Sequence, residues 1–224
     1  FPEMAGKNIK AYFNFMIKED EKIQVKFALS SVSTAGALNN MDAEIPHWDF
    51  EKTKKETQDK WNNELSKIEV ECIEKEDKET FYTALYHTML GPVLYEDVDG
   101  KYKGLDKNIH ISTGFTNYTI FSLWDTYRAL HPLFNIIHTE RNNDMIKSML
   151  AHKDQSVHRM LPIWSHYANE NWCMIGYHAT SVIADAISKD VGDFNKLEAL
   201  EACISTSNVS YFDGIESYKE KGYV

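Results

Sequence analysis

Three cysteines among 224 residues, Cys72, Cys173 and Cys203, are too few and too scattered for a disulfide framework. No CxxC pair signals a zinc ribbon or a redox centre, and a single bridge stays open, so cysteine content leaves the compartment undecided. No apolar run approaches the ~18 residues of a membrane-spanning helix. GxGxxG, Walker and GxSxG motifs are absent, which disfavours nucleotide binding and nucleophile-elbow hydrolysis. There is no HExxH, and His87, His131, His138 and His178 are scattered as lone residues along the expected helices, so no metal ligand is assigned in this chain. Basic residues are outnumbered 24 to 34, giving a net charge of −10. Such a surface repels phosphate backbones and excludes nucleic acid as a natural partner. The mixed-sign run KTKKETQDK (52–60) fits a solvated helix face. The opening FPEMAGKNIK has neither a hydrophobic signal core nor an initiator Met, so a processed or excised piece is expected.

What is abundant is aromatic: 12% of residues, with 12 Tyr and 5 Trp. That serves a dense core or a cleft for rings and sugars. Residues 9–33 alternate, with Ile9, Ala11, Phe13, Phe15 and Ile17 on one arm and Ile23, Val25, Phe27 and Leu29 on the other. The period predicts a β-hairpin around KEDE. Two strands alone are marginal, and the sequence that follows supplies no sheet for them. Residues 34–43 are small and polar and read as a linker. Helical periodicity predicts helices over 49–69, 79–90, 122–138, 141–151, 173–188 and 194–207, with a turn-like end. Residues 91–104 read as loop and hairpin, and 110–120 as irregular or short strand. The fold class expected is mainly α with a short β part, either half of a helical barrel or an irregular bundle.

Asp97-Val98-Asp99-Gly100 invites an EF-hand interpretation, but Lys101 stands where Asp or Asn is needed and Asn108 where the bidentate Glu is needed, so a tight turn is expected. Two other stretches place costly polar groups at helix beginnings. In FSLWDTYRALHPLF (121–134), Asp125 is either a helix-start carboxylate paired with Arg128 or part of a sugar platform with Trp124. In NENWC (169–173), Asn169 or Asn171 is a helix cap with Glu170 complementing the dipole, or Glu170 is a general acid. An acid role requires burial near Trp172 and Tyr167, or a nearby carboxylate, to keep the proton on.

Taken together, FSLWDTYRALHPL and LPIW…NENWCMIGYHATSVIADA resemble the catalytic domain of glycoside hydrolase family 92, the calcium-dependent exo-acting α-mannosidases. FYTALYHTMLGP (81–92), DVDGKYKG (97–104) and ISKDVGDFNKLEAL (187–200) carry the same resemblance. It implies terminal strands of a β-sandwich over 1–38, a linker with a helix over 39–75, and the first part of an (α/α)6 barrel over 76–224. It also implies removal of terminal α-linked mannose from glycans with inversion, assisted by calcium. Glu170 would be the general acid, Trp124 and Asp125 would hold the mannose, and Asn171, Trp172 and Cys173 would border the site. The general base and the calcium ligands belong to family motifs that this chain does not include, so a second polypeptide or a further half of the barrel would complete the centre. An extracytoplasmic location follows from the family's glycan substrates. One departure stands out: Ala168 replaces the family's Gly before Asn169-Glu170, which matters if that position needs a positive φ. Two rivals remain: a non-catalytic carbohydrate-binding helical module, and an (α/α)6 glycosidase of other sugar specificity.

Overall fold

A computed structural model describes residues 5–210 and 214–223. Helices α1 (Thr34–Glu44), α2 (Phe50–Leu65) and α3 (Lys75–Thr88) come first. Short strands follow: β1 (Val93–Leu94), β2 (Lys101–Lys103), β3 (Ile109–Ile111), β4 (Tyr118–Thr119) and β5 (Phe121–Ser122). Then come α4 (Leu123–Thr126), α5 (Leu130–Ile137), α6 (Thr139–Gln155), β6 (Trp164–Ser165), α7 (His178–Ser188), α8 (Lys196–Ser207) and α9 (Ile215–Lys221). The strands pair antiparallel as β1–β4, β2–β3 and β5–β6. The chain is thus mainly helical, as expected.

Helices α5 to α8 pack on one another around a single core. Along α6, Asn142, Met145, Ile146, Met149 and His152 are buried, and along α7, Ala179, Val182, Ile183 and Ala186. Those spacings are the three-to-four-residue stripe of a core-facing helix. Phe121, Leu123, Phe134 and Leu161 fill the space between them. Each large apolar side chain so buried contributes roughly 1.5–3 kcal/mol.

The expected hairpin does not form a ladder. The Glu21 N–H donates to the Lys18 carbonyl at 3.1 Å, so the turn is made, but no strand is present over 5–33. Phe13, Phe15, Ile17, Val25, Phe27 and Leu29 stay exposed, and two arms without a covering face gain little by pairing. The first four residues of FPEMAGKNIK lie outside the described residues.

The expected linker over 34–43 is instead helix α1. Ser33 caps it by accepting the Gly36 N–H, and Asp97 holds it from across the fold. The Asp97 carboxylate accepts from Ser30 Oγ at 2.7 Å and from Asn40 Nδ2 at 2.9 Å, while Asn40 Oδ1 accepts the Val98 N–H. A Cβ on Gly36 would stand 2.2 Å from Asp97 Oδ2, so only glycine permits this approach. These tertiary bonds override the weak helix propensity of the segment. The Asp97–Gly100 stretch closes as a tight turn, with the Gly100 N–H on the Asp97 carbonyl at 2.8 Å.

The single helix expected over 122–138 is broken between Thr126 and Leu130. Pro132 explains this: a continuous helix would need its missing N–H to reach the Arg128 carbonyl, where the ring clashes. Restarting at Leu130 puts Pro132 in the first turn, where no donor is needed. The chain end, expected as a turn, forms helix α9 between Gly214 and Gly222, both in the left-handed region.

Candidate functional site

The β5–β6 ladder joins the two motif-bearing stretches. Phe121 pairs with Ser165 and Ser122 with Trp164. Immediately after β5, α4 carries Trp124 and Asp125, both exposed. Immediately after β6, the chain reverses through Tyr167 and Ala168, at φ 45° and 58°. The His166 N–H donates to the Asn169 carbonyl at 2.7 Å, and the Asn169 N–H returns to the His166 carbonyl at 3.1 Å. Two left-handed central residues between a doubly bonded pair make a two-residue turn of the I′ kind. The return arm then bridges Ser165 with Glu170.

Glu170 is therefore not in the first turn of a helix, as its capping interpretation required. The helix expected from 173 starts at His178, after Trp172 (φ 56°) and Gly176 (φ 91°) have bent the chain. Neither Asn169 nor Asn171 caps α7, whose cap residue is Tyr177. Instead Glu170 folds back on its own hairpin. Its Oε1 accepts the N–H groups of Trp164 at 2.8 Å and Trp172 at 3.1 Å, and its Oε2 accepts that of Ile163 at 3.1 Å. The side chain is half-buried.

Asp125 accepts from Ser122 Oγ, the last residue of β5. It is not held by Arg128, whose guanidinium donates to the Tyr127 hydroxyl at 2.9 Å and lies over that ring. The Trp124 indole packs against His178, with ring centres 5.2 Å apart and planes at 34°. Tyr127 meets the same imidazole edge-on at 4.2 Å. Burial lowers the pKa of His178. A Cβ on Gly176 would sit 2.3 Å from this ring, so Gly176 makes room for it. Trp172 stacks edge-on with His158 at 5.0 Å, while Asn171 and Cys173 are exposed beside it.

Beneath the ladder, His152 is fully buried, its Nδ1 3.2 Å from Ser165 Oγ, and desolvation lowers its pKa to about 4. A second buried histidine, His131, lies in a chain of side-chain bonds. His131 Nδ1 meets Asn142 Oδ1 at 2.7 Å, Asn142 donates to Asn135 at 2.6 Å, and Asn135 donates to Asp185 at 2.9 Å. Burial lowers the His131 pKa to about 4 despite the bond to Asn142.

Trp124 and Asp125 thus follow one strand of the β5–β6 ladder, Glu170 bridges to Ser165 of the other, and Asn171 to Cys173 come directly after it. Sequence reasoning missed Ser122 and His178. The signal for His178 was the i, i+3 pair Trp124 and Tyr127, which needed an aromatic partner to fill the notch between them. Five cavities elsewhere, the largest about 510 Å³, do not include Trp124, Asp125 or Glu170 in their walls. Trp124 and Asp125 are exposed and Glu170 is half-buried. Among the described residues no cluster of three or more His, Cys, Asp or Glu side chains is placed to hold a metal ion. The residues present therefore do not by themselves fit a calcium site. No described helix is long and apolar enough to cross a membrane.

Residues 36–224 match the family model of the Glycosyl hydrolase family 92 catalytic domain. The chain is similar to the solved family 92 α-mannosidase BT3965 of Bacteroides thetaiotaomicron, at 52% identity over 87% of this chain and 26% of that one, with a TM-score of 0.83. The same protein in complex with mannoimidazole is matched equally well. The family 92 inverting mannosidase BT2199 of that organism is 30% identical over 87% of this chain and 27% of its own, with a TM-score of 0.79. An uncharacterized secreted glycosidase of Arthroderma benhamiae is 24% identical over 215 residues, 91% of this chain and 23% of that protein. The chain spans about a quarter of the length of these relatives.

Proposed function

The chain belongs to glycosyl hydrolase family 92, and we propose that it carries the proton-donating side of a glycosidase centre that removes terminal α-linked mannose from glycans. One observation carries this: the Glu170 carboxyl group is bonded to the strand that pairs with Phe121 and Ser122, just ahead of Trp124 and Asp125, with one oxygen less engaged than the other. Oε1 takes two main-chain N–H groups and serves as the carbonyl oxygen of the acid. Oε2, with one, bears the proton and gives it to the glycosidic oxygen as the C–O bond breaks. The three donors stabilise the carboxylate that is left, so bound substrate and the polypeptide completing the centre must bury Glu170 enough to hold its proton until transfer. The indole of Trp124 covers the apolar face of the mannose, and Asp125 accepts from its hydroxyls. Asn171, Trp172 and Cys173 border the leaving group.

Inversion belongs to the same proposal. It requires water on the opposite face of the sugar and a base carboxylate ~6.5–9.5 Å from Glu170. That base and the calcium ligands come from polypeptide outside the described residues, whether a further half of the barrel or a second chain. The domain division proposed is 1–38 as part of a β-sandwich that polypeptide outside this chain would complete, 39–75 as the link, and 76–224 as the first part of the barrel; in this chain 5–33 forms no strand and α1 already begins at Thr34. The secreted status in the name of the Arthroderma relative supports an extracytoplasmic site of action.

The test uses the full-length natural polypeptide that contains these residues. Glu170→Gln is expected to lower turnover of α-mannosides with poor leaving groups by about 10²–10⁴-fold while mannose binding persists. Unaltered turnover would overturn the assignment.

A further inference from the structure

The donors that fix the Glu170 carboxylate, from Ile163, Trp164 and Trp172, all lie within residues 163–172. The return arm is tied to the outgoing one in the same local way, by the Asn171 N–H on the Trp164 carbonyl at 3.1 Å. Bonds of this kind set the carboxyl group relative to its own hairpin. They leave the tip of that hairpin free to swing about the β5–β6 ladder at its base.

Two side chains from elsewhere in the fold grip the tip. The Tyr167 N–H donates to Thr119 Oγ1 at 3.0 Å. The next carbonyl, that of Ala168, accepts from the Lys107 ammonium group. These are the two left-handed residues of the turn, at φ 45° and 58°. Backbone in that region persists where its surroundings dictate it. One grip engages a main-chain donor and the other a main-chain acceptor, on successive residues, so together they oppose twist as well as displacement.

Neither grip stands on loose backbone. Thr119 lies in β4, pairs with Val93 of β1 and is fully buried. Lys107 sits in the connection between β2 and β3, where its N–H donates to the Gly104 carbonyl at 2.9 Å and the Gly104 N–H to the Asn108 carbonyl at 2.9 Å. The Asp106 carboxylate accepts the Asn108 N–H at 3.0 Å and lies 3.0 Å from His110 Nε2. This turn is seated against α6: a Cβ on Gly104 would come within 2.7 Å of Oε1 of Gln155, whose Nε2 donates to the buried Tyr102 hydroxyl at 2.8 Å. The grips therefore tie the hairpin to the β1–β4 and β2–β3 ladders, neither of which carries Trp124, Asp125 or Glu170.

We infer that Lys107, together with Thr119, is a positioning residue for the proton donor, holding the hairpin tip so that the Glu170 carboxyl group meets the glycosidic oxygen. The inference rests on the function proposed above and adds the groups that aim the acid without touching substrate. Proton transfer depends steeply on where the acid stands, and a braced shell behind it supplies that precision.

The test uses the full-length natural polypeptide and two substrates. Methyl α-mannoside has a poor leaving group that needs the proton, and dinitrophenyl α-mannoside has one that departs without it. The readout is the ratio of kcat/KM for the first to that for the second. Lys107 is exposed, and Lys107→Met keeps the stem while losing the donor. It is expected to lower the ratio about 3–10-fold. Lys107→Arg, which retains a donor, restores the ratio. Thr119→Val lowers it and Thr119→Ser, which keeps the acceptor, does not. In a Glu170→Gln background Lys107→Met leaves the ratio where Glu170→Gln put it, because the grip acts only through that carboxyl group. Equal losses on both substrates mean plain support of the fold and overturn the inference, as does an unchanged ratio or an effect that survives Glu170→Gln. If Glu170→Gln by itself leaves the ratio unaltered, the proposed function fails instead.

Discussion

The Trp164 N–H and the Glu170 Oε1 lie 2.8 Å apart, across a hairpin that reverses direction in only two residues. The carboxylate thereby serves its own hairpin, apart from the catalytic role proposed for it. Glu170→Ala leaves three main-chain donors without their acceptor, at a cost of about 1–3 kcal/mol. Glu170→Gln keeps an oxygen for Trp164 and Trp172 and loses only the bond from Ile163. Thermal unfolding of the two variants is expected to rank Ala below Gln, and equal midpoints would show these bonds carry no stability.

Ala168 holds φ 58° in a turn position where glycine is the unstrained choice. Left-handed backbone costs a side-chain-bearing residue roughly 1–2 kcal/mol. Removing its buried methyl forfeits about 0.8 kcal/mol. Ala168→Gly is therefore expected to stabilise by roughly 0.5 kcal/mol, and Ala168→Val to destabilise, because a branched Cβ tolerates this region worst. Denaturant midpoints of the three proteins check the order.

His131 and His152 both titrate near 4 in the folded chain because burial opposes their charging. Unfolded, each binds its proton near 6.5. Between those values the unfolded state holds more protons than the native one, so stability falls as pH drops from about 6.5 to about 4. Each histidine contributes a slope of up to about 1.4 kcal/mol per pH unit there. Urea midpoints at pH 7, 6 and 5 should decline steadily. A flat profile would mean the imidazoles gain protons while still folded.

Asn142 is fully buried and uses both ends of its amide, receiving from His131 and giving to Asn135. Asn142→Asp removes the donor and sets a charge in the core, and about 3 kcal/mol or more of destabilisation is expected. The variant's unfolding free energy measures it. Asn142→Ser, smaller and uncharged, should cost less.

The sequence made the helices of the core legible because their stripes are long: α6 and α7 repeat apolar residues at three and four positions over several turns. Short elements escaped. Pro132 breaks a pattern that periodicity alone would run through, and α1 depends on Asp97, which lies 57 residues beyond Asn40. The 9–33 alternation was a true period without a face to bury. At the site, Trp124, Asp125 and Glu170 were identifiable as chemical types, but the pairing of the segments that carry them was not. It depends on the β5–β6 ladder, two residues per strand and so too short to leave a pattern. The positive φ at Ala168 was foreseeable only as a condition, from the glycine that the family resemblance places there.

Helix α4 is one turn of four residues, and Tyr127 to Ala129 separate it from α5. A helix that short cannot hold its own shape. Trp124 and Asp125 keep their orientation on borrowed rigidity, drawn from Ser122 behind them and from the His178 ring wedged in front. Damage to the neighbouring strand would therefore disturb the Trp124–Asp125 surface and displace Glu170 in one stroke, so that, on the function proposed above, variants in this region should lose affinity and turnover together.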